Sequence, residues 1–163
     1  AVPAGAGLTT EDVAAFRQAV GGKGRLLGID AGTKTYGLAL SDVTRSIASA
    51  LETIRRQKFA ADMEHLFALA ARHGVGGLVL GMPRNLDGSE GPRAQATRAL
   101  ARNLNRLSPL PVLLWDERLT TALAERMLID ADQSRKRRGE VIDKLAATLI
   151  LQSALDRLRQ PDF

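Results

Sequence analysis

The pattern of apolar runs predicts an α/β domain: a mixed five-stranded sheet, opened by an antiparallel hairpin and completed by βα units, with helices on both faces. Two observations carry this. Leu26–Asp42 contains two short apolar runs around a Gly/Thr/Lys turn, the pattern of a β-hairpin. Further on, Gly77–Gly81 and Val112–Trp115 are short apolar runs that each follow a helical stretch, as strands of a parallel sheet buried on both faces do.

Taken in order, Ala1–Gly7 lacks a basic n-region and an apolar h-region, so no signal peptide is expected. Thr9 or Thr10 is an N-cap candidate for a short helix over Glu11–Val20, ended by Gly21-Gly22-Lys23-Gly24. Residues 1–24 are thus expected to be an extension, with the principal domain over 25–163. The hairpin strands are Arg25–Ala31 and Tyr36–Ser41, and a weaker third strand lies near Ile47–Thr53. Phe59, Met63, Leu66, Phe67 and Ala70 recur at helical steps within Lys58–His73. After the strand Gly77–Gly81 comes a polar loop, Met82–Gly91, and then Pro92 fits the first turn of a helix running to Leu107. Val112–Trp115 ends in Asp116-Glu117. Thr121 is a cap candidate for a helix reaching Ala131, a basic loop follows, and a last helix spans Glu140–Arg159.

The bulk properties narrow the function. The 163 residues suffice for one well-formed domain, and 45% hydrophobic with 25% charged residues is an ordinary globular balance. No apolar run approaches the roughly 18 residues that span a bilayer. The absence of cysteine excludes a disulfide scaffold, a thiol nucleophile and a cysteine zinc site, and makes the cytoplasm the default location. His65 and His73 are eight apart and fit no zinc spacing. No Walker loop, dinucleotide fingerprint or Ser/His/Asp arrangement is present. A net charge of +5, densest at Arg135-Lys136-Arg137-Arg138, favours polyanionic partners.

Three acids occupy unusual positions. Asp30 and Glu117 each stand at the C-terminal end of a buried-type strand, the rim where open α/β sheets place ligands. Asp143 shares a helical face with Ala147, Ile150 and Ala154. A carboxylate in such surroundings needs a cation or a hydrogen-bond network. Three of them from separate elements suit Mg²⁺ or Mn²⁺, and two such ions about 4 Å apart can drive in-line phosphodiester hydrolysis. Each acid also has a plainer reading: Asp30 as a turn former, Asp116 and Glu117 as partners of Arg118, Asp143 as a helix-start acid.

Four strings appear in order: Gly28-Ile29-Asp30-Ala31-Gly32-Thr33-Lys34 with Gly37 and Ser41-Asp42; Gly81-Met82-Pro83-Arg84-Asn85-Leu86-Asp87-Gly88-Ser89-Glu90-Gly91-Pro92; Asp116-Glu117-Arg118-Leu119-Thr120-Thr121; and Ile142-Asp143-Lys144-Leu145-Ala146-Ala147. Together they resemble the YqgF (RuvX) family of Holliday junction resolvase-like proteins and pre-16S rRNA nucleases, over roughly Arg25 to Arg159. The resemblance implies an RNase H-like fold with Asp30, Glu117 and Asp143 as catalytic metal ligands of a two-metal Mg²⁺ or Mn²⁺ site. It implies nucleic-acid contacts by Lys34, by Arg84, Asn85 and Ser89 of the loop beside the site, and by Arg118; the basic run Arg135, Lys136, Arg137 and Arg138 is a further candidate by its charge, with a solvated loop as its plainer reading. The family often carries a basic residue where Thr35 stands, and Asp42 reads as structural.

The implied activity is that of a metal-dependent endonuclease, with structured RNA or branched DNA as partner and a monomer or homodimer as the working form. Processing of the 5′ end of the small-subunit ribosomal RNA precursor is favoured over junction cleavage, because no apolar dimer stripe stands apart from the core pattern. A non-catalytic RNA-binding assembly factor is the alternative from another class. Asp30–Thr35 also resembles the first phosphate loop of the actin/Hsp70 ATPases, but those close two such domains around nucleotide and only one fits this length.

Overall fold

The computed structural model describes residues 7–22, 24–119 and 135–160, with no side-chain description for 119 and 135–144. Its elements are β1 (Thr9–Thr10), α1 (Val13–Val20), β2 (Arg25–Ala31), β3 (Thr35–Ser41), β4 (Ala48–Arg55), α2 (Phe59–Arg72), β5 (Val75–Met82), α3 (Pro92–Leu107), β6 (Val112–Asp116), one 3-10 turn (Glu117–Leu119) and α4 (Arg135–Leu158). They build one mixed sheet in the order β1-β6-β5-β2-β3-β4. The antiparallel meander β2-β3-β4 runs into the parallel strands β5 and β6, so the sheet is mixed, as the order of apolar runs predicts.

Strand alternation splits the core in two. Leu27 and Ile29 of β2 face α2 and α3 together with Leu78, Leu80, Val112 and Leu114. Leu26, Val79 and Leu113 face α1 and α4, where Ala147, Ile150, Leu151 and Ala154 are buried. Gly28 makes the second layer possible. A Cβ there would lie 2.8 Å from Leu151 Cβ and 3.0 Å from the Ala147 carbonyl oxygen, so α4 lies against bare backbone at the centre of the sheet.

Two details of the sequence reading change. The sheet has six strands, not five, because Thr9 and Thr10 pair in parallel with Val112 and Leu113. The helix cap is consequently Asp12, whose carboxylate accepts from the Ala14 N–H at 3.0 Å, and Phe16 of α1 is completely buried in the α4 layer. The second change concerns the basic run. Arg135, Lys136, Arg137 and Arg138 do not form a loop; they are the first turn of α4, which starts five residues before the expected Glu140. Arginine and lysine are good helix formers, so the run extends the helix. The helix expected over 121–131 lies outside the described residues. No helix among the described residues is long and apolar enough to cross a membrane.

Since α4 rests on Gly28, adding a single methyl there forces helix and sheet apart. Gly28→Ala is expected to cost about 1–3 kcal/mol, the usual range for overpacking a tight core, read as a lower urea midpoint at unchanged slope.

Candidate active site

β2, β5 and β6 are parallel neighbours, so their C-terminal ends meet on one rim. The register sets Ile29 beside Leu80 and Gly81 beside Trp115, which brings Asp30, Gly81 and the 3-10 turn after β6 into one place. Alternation along β2 turns Asp30 to the same side as Leu26 and Gly28, the α4 side. Glu117 comes to this side because the 3-10 turn follows β6 at once.

The doublet Asp116-Glu117 therefore divides its work. Asp116 takes the plainer role: its carboxylate accepts from the Arg118 backbone N–H and Nε, both at 3.0 Å. Glu117 shares a side-chain hydrogen bond with Asp30. Burial, the charge of Asp30 and that hydrogen bond push the Glu117 carboxyl up to about 8, while Arg93 pulls the other way. At neutral pH Glu117 accordingly keeps its proton and donates it to Asp30. The cradle for this side chain is Gly81. A Cβ on Gly81 would stand 2.5 Å from Glu117 Oε1 and 2.6 Å from Ile150 Cδ1, both ends of flexible side chains.

Two half-buried carboxyl groups joined by a proton form a hard, oxygen-only donor set, and a divalent cation in place of that proton would let both ionise. Asp30 and Glu117 fit such an ion. Among the described residues no cluster of three or more His, Asp or Glu side chains converges. Position 143 lies on α4, four and seven residues before Ala147 and Ile150, and its side chain is outside the described residues.

The expected nucleic-acid residues fall into three groups. Lys34 stands exposed on the β2–β3 turn, where Gly32 N–H donates to the Thr35 carbonyl at 2.9 Å. The loop between β5 and α3 holds itself together. Asn85 Nδ2 donates to Ser89 Oγ at 2.9 Å, and the Ser89 hydroxyl and N–H both donate to Asp87 Oδ1. Its arginine is ion-paired: Arg84 meets Glu11 and lies 3.5 Å from Glu90 and 3.9 Å from Asp116. Arg118 grips Asp116 and reaches the Leu86 carbonyl. The side chains of Arg135, Lys136, Arg137 and Arg138 lie outside the described residues. Asp42 caps the β3–β4 turn, accepting from Thr44 Oγ1 and the N–H groups of Ser46 and Ile47, which hold its carboxyl down to about 2.

Sequence reasoning missed three contributors: Glu11, Arg98 and Arg93. Arg98 forks onto Glu90 with both bonds at 2.6 Å, and this pair anchors the loop to α3. The motif Glu90 to Arg98 spans a loop and a helix, so no fixed periodicity reveals it. Arg93 follows Pro92 at the start of α3, a position that resembles any helix-start residue until the fold sets it beside Glu117.

The raised Glu117 group has a signed consequence for stability. An ordinary carboxyl near 4.5 in the unfolded chain rises to about 8 on folding, so the folded state binds the extra proton between those values. Its contribution is complete below about pH 4.5 and is lost as pH rises through about 8. In metal-free buffer, urea unfolding should show falling stability over that window, and Glu117→Gln should flatten the fall. A variant profile parallel to that of the wild type would contradict the assignment.

The family model described as "RuvX: Holliday junction resolvase" matches residues 24–157. A protein of Paracoccus denitrificans named "Putative pre-16S rRNA nuclease" is 58% identical over 149 residues, covering 91% of this chain and 94% of that protein. One of the same name from Jannaschia is 62% identical over 137 residues, covering 82% and 86%. Among solved structures, Thermus thermophilus RuvC in complex with a Holliday junction substrate aligns with a TM-score of 0.48 at 15% identity, covering 82% of this chain and 95% of that one. With the family model spanning β2 to β6, the loop and most of α4, and relatives this similar over nearly their whole length, the chain belongs to the RuvX family.

Proposed function

We propose that this chain is a divalent-metal-dependent endonuclease that hydrolyses phosphodiester bonds in structured RNA, acting on the 5′ end of pre-16S rRNA. The observation that carries the reading is the hydrogen-bonded pair Asp30–Glu117 on the strand rim. The names of the relatives supply the substrate class.

In this reading Asp30, Glu117 and Asp143 hold Mg²⁺ or Mn²⁺, two ions in the complete site. When bound, the metal supplies Lewis-acid activation of the scissile phosphate and of a water nucleophile. The protein's own part is to hold two carboxylates together at the cost of mutual repulsion. Glu117 would give up its proton to a bound cation, and Gly81 leaves room for its carboxyl group. Lys34 at the hairpin turn and the first turn of α4, Arg135, Lys136, Arg137 and Arg138, meet sugar-phosphate backbone. Arg84 and Arg118 join them by exchanging a carboxylate partner for a phosphate, with Asn85 and Ser89 shaping the loop that carries them.

The family description favours a second reading, cleavage of branched DNA, which requires paired cuts by a symmetric dimer. One experiment separates the two and tests the site. Wild type and Asp30→Asn are incubated with pre-16S rRNA and with a four-way DNA junction, each with Mg²⁺ or Mn²⁺, and the cuts are mapped. The wild type should cut the RNA near its 5′ end, and Asp30→Asn should lose at least a hundredfold in rate while unfolding at the same or a higher temperature. Unchanged cleavage by the variant overturns the site. Binding without cleavage under every metal would make the chain an assembly factor. Gly81→Ala, which displaces the Glu117 carboxyl, should keep the fold and lose most of the rate.

A further inference from the structure

A groove of about 270 Å³ lies between the β2–β3 turn, the start of α2 and the outer face of α3. It opens near the same rim on the other side of the sheet: Ala31, next after Asp30 and turned the opposite way by strand alternation, lines it, and so does Arg93, whose charge acts on Glu117. Among the described residues no carboxylate lines this groove, although carboxylates crowd the opposite flank of the rim.

Two arginines line it. Arg56 is held in place, donating from Nη1 to the Gly32 carbonyl at 2.6 Å with its guanidinium carbon 4.7 Å from the centre of the Tyr36 ring. That bond uses one of five N–H donors. The Arg93 guanidinium makes no hydrogen bond among the described residues. Between them the wall is apolar: Phe59, with 40% of its surface exposed at the first residue of α2, and Leu100 and Ala96 of α3. An exposed aromatic ring beside two cations, with the Asn103 amide on the same wall, has the chemistry of a nucleotide: a planar base to stack, an edge to hydrogen-bond, a phosphate to neutralise.

We infer that this groove binds one unpaired nucleotide of the substrate strand, its base on Phe59 and its phosphate between Arg56 and Arg93, next to the bond that is cut. The inference rests on the nuclease reading and sharpens it. The volume is slightly below the roughly 300 Å³ at which ligand sites usually begin, enough for one base and not for a base pair. The substrate must then be single-stranded, or locally opened, beside the scissile phosphate.

The test measures binding separately from cleavage. In the full-length Asp30→Asn background, fluorescence anisotropy follows a labelled single-stranded RNA 12-mer (a length of roughly one site for a single-strand binder) and a fully paired RNA duplex of the same sequence. Phe59→Ala and Ala96→Leu, one removing the stack and one filling the groove, should each weaken the single strand about tenfold. The duplex should change less than twofold, on the order of the noise in such substitutions. Equal losses on both ligands, or no loss on the single strand, overturn the inference. A free nucleoside monophosphate as competitor tests the other source of this chemistry. Displacement of the strand only at millimolar concentration supports a substrate subsite; saturation at micromolar concentration makes the groove an effector site and overturns it. Should the wild type cut nothing, these affinities still decide the groove. Should the groove fail, the Asp30→Asn loss of cleavage still stands.

Discussion

Two carboxyl groups at the ends of β2 and β6 share one proton, and much of the structure exists to make them do so. Left to themselves, Asp30 and Glu117 would separate and hydrate. Parallel pairing through β5 prevents this, because the strand ends are fixed at sheet spacing and the 3-10 turn begins as soon as β6 stops. Partial burial beside Ile150 of α4 limits the water that would screen the repulsion. The pair is thus a stored electrostatic cost, of the kind found where a fold is shaped for a charged ligand and not for maximal stability.

Support for that cost is distributed across both layers of the core. Gly28 lets α4 reach the sheet, and Gly81 lets Glu117 reach Asp30. Neither glycine contributes a side chain, yet each sets how close a functional group may come. On the far edge, β1 and α1 add Phe16 to the α4 layer, and Arg17 ties α1 to the end of α4 through the Leu158 carbonyl at 3.0 Å. The helix that carries position 143 is therefore fastened by the N-terminal segment as well as by the sheet.

The main strands and helices were legible in the sequence because periodicity reports burial directly. The unbroken apolar run Leu26–Ile29 and the helical steps of Phe59, Met63, Leu66, Phe67 and Ala70 in α2 lead to the right elements, and Pro92 opens α3 as its ring requires. The pairing of Asp30 with Glu117 was legible only as two acids at strand ends; their mutual hydrogen bond is a tertiary fact that spacing does not encode. Thr9 and Thr10 misled because a two-residue strand has no period to read, and β-branched polar residues suit a cap and a strand edge alike. The basic run misled for a related reason: charge density suggests solvation, but the residues concerned are also helix formers. Asn85 and Ser89 are placed beside each other by the loop's own turn, which local sequence hides.

The carboxylates that hold Arg84, Arg98 and Arg118 reshape how this rim looks from a distance. Formal charge counts these three arginines as attraction for a polyanion. Paired with Glu11, Glu90 and Asp116, they present alternating dipoles whose potential fades within a Debye length, about 8 Å in physiological salt. A nucleic acid drifting past feels little of them. In the nuclease reading proposed above, a phosphate reaches the guanidinium fork only by displacing a carboxylate. On that reading selection at this flank is made on contact and not on approach, so a rim rich in arginine discriminates by fit where a bare basic patch would merely collect.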